Sequence, residues 1–480
     1  MELKGERLSL SGRGRRFRPW RILVYLVLIL AGLGLYWMVE IGNVVQPLFL
    51  PTPISTRTAY SYALEAKAHF SSGNLGDAIQ AYQHGTQLDP QNARLWADLA
   101  RVQTYGSESE PSFGDRLAML QEARQAIDQA AELDPDDSYV HAIRGLVYDW
   151  LAAADETNWQ AHITEATSAV ELARHLAPDD PLALAIYAEV QVDQQKYAQA
   201  SQFAELAAES VAVGSEFAVD VYRIYGTVLE NLGAYNLAIE QYIRATEVAP
   251  NLTFLYIRIG VNYRRLSKPD EALTFFNKAA QMNEQLGIED PIPYLAIART
   301  YLQMGEFFIS ALNVERALAF NPDNANIYGL LGVVFYKARN YESSISVLKC
   351  AVDGCTAEES RAVLCEFVFA CGSDADAEAY GSPIEGLTLN SESLVYYYTY
   401  GSALAYYSGS PGYGFACDEA ERVFTQIMTS PYGGDPIVAS IVEEGRLILA
   451  RSCFGGAGIP EPTPTPTTTQ SPEPSSTPSP

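Results

Sequence analysis

From Val221 to Pro250 the chain reads VYRIYGTVLENLGAYNLAIEQYIRATEVAP, and its apolar and small positions fall on two helical stripes. Tyr222, Tyr225, Gly226 and Leu229 share one face of a first helix. Gly233 interrupts the pattern, Ala238, Tyr242 and Ala245 mark one face of a second helix, and Pro250 ends it. The small residues predict a close crossing of the two helices, and the tyrosines fill the wider gaps. One such pair cannot bury its apolar face alone, so the pattern requires neighbours.

The neighbours are present. A first unit starts near Ala59, with Gly73 at its turn and Pro90 at its end. The second and third, ending at Pro135 and Pro178, carry polar insertions at 107–114 and 155–160. The fourth has Tyr187, Ala188, Ala200 and Ala207. In the sixth, Tyr256, Gly260, Phe276 and Ala279 hold the phase, and Glu284 replaces the closing proline, so that its second helix is expected to run on to Gly287. Gly305 and Pro322 mark the seventh, Gly332 and Leu348 the eighth. This order of aromatic, small and proline positions resembles the tetratricopeptide repeat (TPR), a unit of about 34 residues. The resemblance implies an all-α, right-handed superhelical solenoid of eight to nine helix-turn-helix repeats. Eight are expected over 59–356, followed by a divergent cysteine-containing repeat and cap over 357–453.

Charge and hydropathy change the picture at the ends. Ile22 to Val39 is uncharged, about 27 Å as a helix, and follows Arg13, Arg15, Arg16, Arg18 and Arg21. No Lys or Arg follows until Arg57, so the expectation is a basic cytoplasmic segment (1–21), a single membrane-spanning helix (22–39) and a spacer (40–58). The body would then lie on the extracytoplasmic side of the cell membrane. The net charge is −26 despite that basic start, which speaks against nucleic acid as a partner. From 459 to 480 the chain is rich in Pro, Thr and Ser and is expected to stay disordered.

No nucleotide-binding, zinc-protease or nucleophile-elbow motif is present, and no cofactor, metal or catalytic residue is expected. Paired carboxylates such as Asp136–Asp137 and Asp179–Asp180 follow repeat-ending prolines, where they cap the next helix or stay solvated. Cys350, Cys355, Cys365, Cys371, Cys417 and Cys453 all lie late in the chain. Fifteen pairings exist in principle. Proximity favours Cys350 with Cys355, Cys365 with Cys371 and Cys417 with Cys453, with buried free thiols as the other reading.

In the resembled family, first helices line a concave groove that holds an extended peptide or a partner helix. Carried over position by position, the groove would include Arg223 and Thr227, then Phe254, Ile257, Val261, Arg264 and Arg265. Farther along it would include Leu295, Arg299 and Leu302, then Val333, Tyr336 and Lys337. The asparagine of the carboxylate clamp in chaperone-binding members has no counterpart at Thr227, Val261, Arg299 or Val333. A basic, apolar groove in an acidic body implies a protein or peptide partner with acidic and apolar residues, or one that offers a C-terminal carboxylate. The functional expectation is a non-enzymatic membrane-anchored scaffold, or alternatively an accessory, substrate-handover subunit of an envelope-assembly or secretion enzyme complex.

Overall fold

The computed structural model describes residues 19–36, 57–110, 113–155, 157–369, 371, 381–410, 414 and 416–453. The expected spacer over 40–58, apart from 57 and 58, and the tail over 459–480 lie outside these residues, as does most of the basic segment. The chain divides into two units, Met1–Thr58 and Ala59–Pro480.

The first unit holds one described helix, α1 (Pro19–Tyr36), whose described side chains are all exposed. It begins before Ile22 and takes in Arg21, and residues 37–39 of the expected span lie outside the description. Its uncharged part, Ile22 to Tyr36, is about 22 Å long at the helical rise, against roughly 30 Å of bilayer hydrocarbon. Among the described residues no helix is long and apolar enough to cross a membrane.

The second unit is a helical solenoid. Eight antiparallel pairs follow one another: α2 (Ala59–Ser72) with α3 (Leu75–Leu88), α4 (Ala93–Gly106) with α5 (Phe113–Leu133), α6 (Ser138–Ala154) with α7 (Trp159–Leu176), and α8 (Pro181–Asp193) with α9 (Tyr197–Ser210). Then come α10 (Ala218–Asn231) with α11 (Tyr235–Val248), α12 (Thr253–Arg265) with α13 (Pro269–Leu286), α14 (Ile292–Met304) with α15 (Phe307–Phe320), and α16 (Ala325–Lys337) with α17 (Tyr341–Val352). Helix starts are capped locally: Asn74, Asn92, Asp137, Asp180, Asn324 and Asn340 each accept from a backbone N–H in the first turn. Within a pair, the small residue of the first helix receives a large one from the second. A Cβ added at Gly226 would lie 2.8 Å from the Tyr242 ring, and one at Gly260 would lie 2.4 Å from Phe276. That contact sets the phase read in the sequence. In the sixth pair α13 reaches Leu286 and stops at left-handed Gly287.

Two features go beyond a plain stack. First, the early repeats curl until the first two touch the fifth and sixth. Lys67 pairs with Glu216 at 2.8 Å, the Asn251 amide donates to the Ser71 carbonyl at 3.4 Å, and Tyr105 stacks on Phe254 with centroids 5.5 Å apart. Second, the eighth pair is followed by an excursion. Gly354–Cys355 (β1) pairs antiparallel with Ile384–Glu385 (β2), with α18 (Ala357–Phe367) between them, a local departure from all-α structure. The stack then resumes: α19 (Leu394–Tyr407) packs on α17 and α16, α20 (Ala416–Thr429) pairs with α19, and α21 (Pro436–Cys453) closes the end. Disulfides Cys350–Cys355 and Cys365–Cys371 tie the excursion, and Cys417–Cys453 joins α20 to α21.

Candidate functional site: two cavities on the concave face

In the curled half the concave positions face one another and are consumed. Arg101 on α4 grips Asp220 on α10 through Nε at 2.9 Å and Nη2 at 2.6 Å, and Tyr105 donates to the same carboxylate. Arg223 on α10 holds Glu189 on α8 through both terminal nitrogens at 2.7 Å, and its Nε donates to Tyr105 Oη at 3.3 Å. Arg223 is only 3% exposed. It is therefore withdrawn from the expected groove: its donors are spent inside the ring, where an unpaired charge would be costly. Phe254 is corrected likewise, since it is buried beneath Tyr105. Arg265 is exposed and faces Glu230 at 3.4 Å.

Past the ring the concave face opens. Ile257, Arg264, Leu295 and Arg299 line one cavity of about 540 Å³. Its walls also take in Val261, Leu302 and Val333, and two groups absent from the expected list: Arg116 on α5 and Glu392 just ahead of α19. Three arginines thus surround an otherwise mainly apolar space. Arg264 Nη1 and Arg116 Nε are buried without a hydrogen-bond partner. Burial first, then the charges of Arg299 and Arg265, pushes the Arg264 pKa down. Tyr336 and Lys337 line a separate, smaller cavity of about 190 Å³ between α16, α19 and α21.

A third cavity, about 330 Å³, adjoins the first, because Arg116 and Glu392 line both. Its character is acidic. Asp149 on α6 is 3% exposed and its Oδ1 has no partner. Burial, then the charges of Asp193 and Glu189, raises its pKa well above the carboxylate range. At the cavity mouth Asp193 is raised to about 6 by desolvation and by Glu189. Sequence reading missed this cavity; the available signal was an acid on one face of both the third and fourth first helices. Among the described residues no group of three or more His, Cys, Asp or Glu could hold a metal ion.

Family models for the tetratricopeptide repeat match residues 59–92, 219–252, 255–286 and 295–357. These matches fall on the first, fifth, sixth, seventh and eighth helix pairs. Among curated proteins, the chain is 21% identical over 315 residues to the CTR9 homolog protein of Arabidopsis thaliana, covering 65% of this chain and 24% of that protein. It is 27% identical over 114 residues to anaphase-promoting complex subunit 3 of Schizosaccharomyces pombe, covering 24% of this chain and 16% of the other. It thus spans a quarter or less of both relatives. Solved structures that resemble it include the APC/C hetero-tetramer Cut9–Hcn1, at 15% identity and TM-score 0.43 over 63% of this chain and 52% of that one. Another is the C-terminal part of a TPR protein from Cytophaga hutchinsonii, at 13% identity and TM-score 0.39 over 62% and 98%.

Proposed function

We propose that this TPR protein is a scaffold that captures a protein partner through the basic cavity, and that it does so at the extracytoplasmic face of a membrane. The observation that carries the binding half is the pair of buried, unpartnered guanidinium nitrogens on Arg264 and Arg116, with Arg299 beside them. Buried donors are nearly always satisfied, and here the missing acceptor is one that a ligand brings. Carboxylates suit guanidinium forks, and the walls of Ile257, Leu295 and Leu302 suit apolar side chains next to the carboxylate. An acidic, apolar segment of a partner protein meets both demands. The repeats themselves supply a preorganised surface, which lowers the ordering cost of binding.

Two observations support the membrane half. The apolar side chains of α1 are uncovered, Leu23 at 67% and Leu28 at 62%, downstream of an arginine cluster. All six cysteines are bridged, and structural disulfides persist in oxidising compartments outside the cytosol.

The test of capture uses an acetylated peptide with a leucine-rich body and a C-terminal glutamate. The wild-type full chain should bind it, and the double variant Arg264→Glu, Arg299→Glu should lose at least about tenfold in affinity, the scale of one charge-assisted contact. Equal affinities would remove the site. Protease added to sealed, right-side-out membranes should digest the repeat body; full protection would reverse the topology.

A further inference from the structure

We infer that the acidic cavity is a second subsite, one that takes an ammonium or guanidinium side chain, so that the bound segment is dipolar. Its cation sits at Asp149, its anion at Arg264 and Arg299, and apolar residues lie between. The anionic end rests on the reading given above; the cationic end stands on Asp149.

The buried acids around the ring have matched partners. Asp220 has Arg101 and Tyr105, and Glu189 has Arg223. Glu230 accepts from Asn262 at 2.9 Å and Tyr242 at 3.0 Å, and Asp98 accepts from Tyr139 at 2.6 Å. Asp149 is the exception: 97% of its residue is out of water, its Oδ1 has no donor, and its side chain is hydrogen-bonded to another acid, Asp193, rather than to a cation. A buried carboxyl oxygen without a donor is costly, and a cation on the cavity side removes the cost.

The cations already near cannot serve. Arg223 is spent on Glu189, while Arg258 and Arg265 lie against Glu230 and Arg258 also against Glu108. Arg116 stands on the boundary with the basic cavity. Trp150, Ala153 and Val192 give the cavity an apolar wall along which an aliphatic stem can lie while its charged head reaches the carboxylate. The two cavities share Arg116 and Glu392 in their walls, so one extended segment can enter both. Opposite charges at the two ends also set the direction in which the segment lies.

Binding has a proton signature. Asp149 is raised by burial and by Asp193 and Glu189, so the empty pocket keeps its proton to higher pH than an ordinary carboxylate does. An arriving ammonium displaces it: the carboxyl O–H bond breaks, the proton goes to buffer, and the carboxylate accepts from the cation. As pH falls toward about 6 Asp193 protonates as well, and the cation is held less tightly.

The experiment uses the full chain and acetylated leucine-rich peptides ending in glutamate, each carrying either lysine or neutral norleucine two to six residues before the end. At one spacing the lysine peptide should bind about tenfold tighter than its norleucine twin, the scale of one charge-assisted hydrogen bond. Calorimetry in buffers of different ionisation enthalpy should record proton release with lysine only. Asp149→Asn should abolish both the gain and the release and leave norleucine-peptide affinity unchanged. No gain at any spacing, or the same gain in Asp149→Asn, overturns the subsite. Should neither peptide bind, the basic-cavity reading fails on its own, and agmatine becomes the probe. Agmatine binding that Asp149→Asn removes then upholds the cation subsite, and no agmatine binding overturns it.

Discussion

The curled early repeats and the face that opens from the sixth repeat onward place the same helix positions in opposite service. In the curled half, first-helix charges meet charges of the other sign: Arg101 with Asp220 across the ring, and Arg223 with Glu189 on the neighbouring repeat. In the open half, Arg264 and Arg299 meet each other and Arg116 around a cavity. A concave position is therefore not binding or structural by its place in the repeat. What decides is whether the far side of the superhelix is another repeat or solvent. A linear solenoid gains stability only from neighbours. The ring adds contacts between residues more than a hundred positions apart, so its repeats should unfold together while later ones unfold more locally.

The contrast can be broken first at its strongest contact. Asp220→Ala leaves Arg101 buried and unpaired and should cost about 3–5 kcal/mol, whereas Arg299→Ala in the open half should stay within about 0.5 kcal/mol. Urea denaturation measures both, and equal costs would erase the distinction. Next come the bridges. Opening Cys417–Cys453, which closes a separation of 36 residues, should cost about 3–4 kcal/mol, and opening Cys350–Cys355, with a separation of 5, about 2. Hydrogen exchange should show faster opening in α17 to α21 after reduction, with the ring unchanged.

A matched pair of glycines isolates the closure itself. Gly73 and Gly305 have nearly the same φ, +84° and +83°. Alanine at Gly305 meets nothing within 4 Å, so it should cost only the left-handed strain, about 1–2 kcal/mol. Alanine at Gly73 would put its Cβ 2.0 Å from the Asn251 carbonyl oxygen and should cost about 1–3 kcal/mol more. Thermal melts give the difference. The smallest effect is a slope. Folded Asp149 has a raised pKa, so between the ordinary carboxylate value and that raised value the folded state binds more protons than the unfolded. Its contribution to stability is therefore present at acidic pH and declines as pH rises through that window. Asp149→Asn should flatten the decline, read as Tm against pH, while Arg299→Gln should leave the profile as it is.

The repeats were legible because their signal is local: Gly226 with Tyr242 and Gly260 with Phe276 are facing pairs inside one unit. The ring was not legible, because Arg101 and Asp220 are separated by 119 positions and no period links them. The ring covers Phe254 with Tyr105, and Arg223 is taken up by Tyr105 across the ring together with Glu189 on the neighbouring repeat. Arg223 and Phe254 occupy family groove positions, yet the groove there is filled by other repeats. Ile257, Arg264, Leu295 and Arg299 lie where the groove persists, and one cavity gathers them. Asp149 was passed over because a lone acid beside Trp150 carries no local mark; its meaning comes from Asp193 and Glu189 on the next pair.

The seam where Gly73 meets Asn251 also limits how this array can change by duplication. Repeats added or lost between the first and the sixth would carry the two sides of that seam past each other and separate Arg101 from Asp220. Units appended after the eighth, where the chain already tolerates the excursion from Gly354 to Glu385, disturb no such meeting point. The number of units in the early part is thus fixed by geometry, and variation in length among descendants of this chain belongs at its far end.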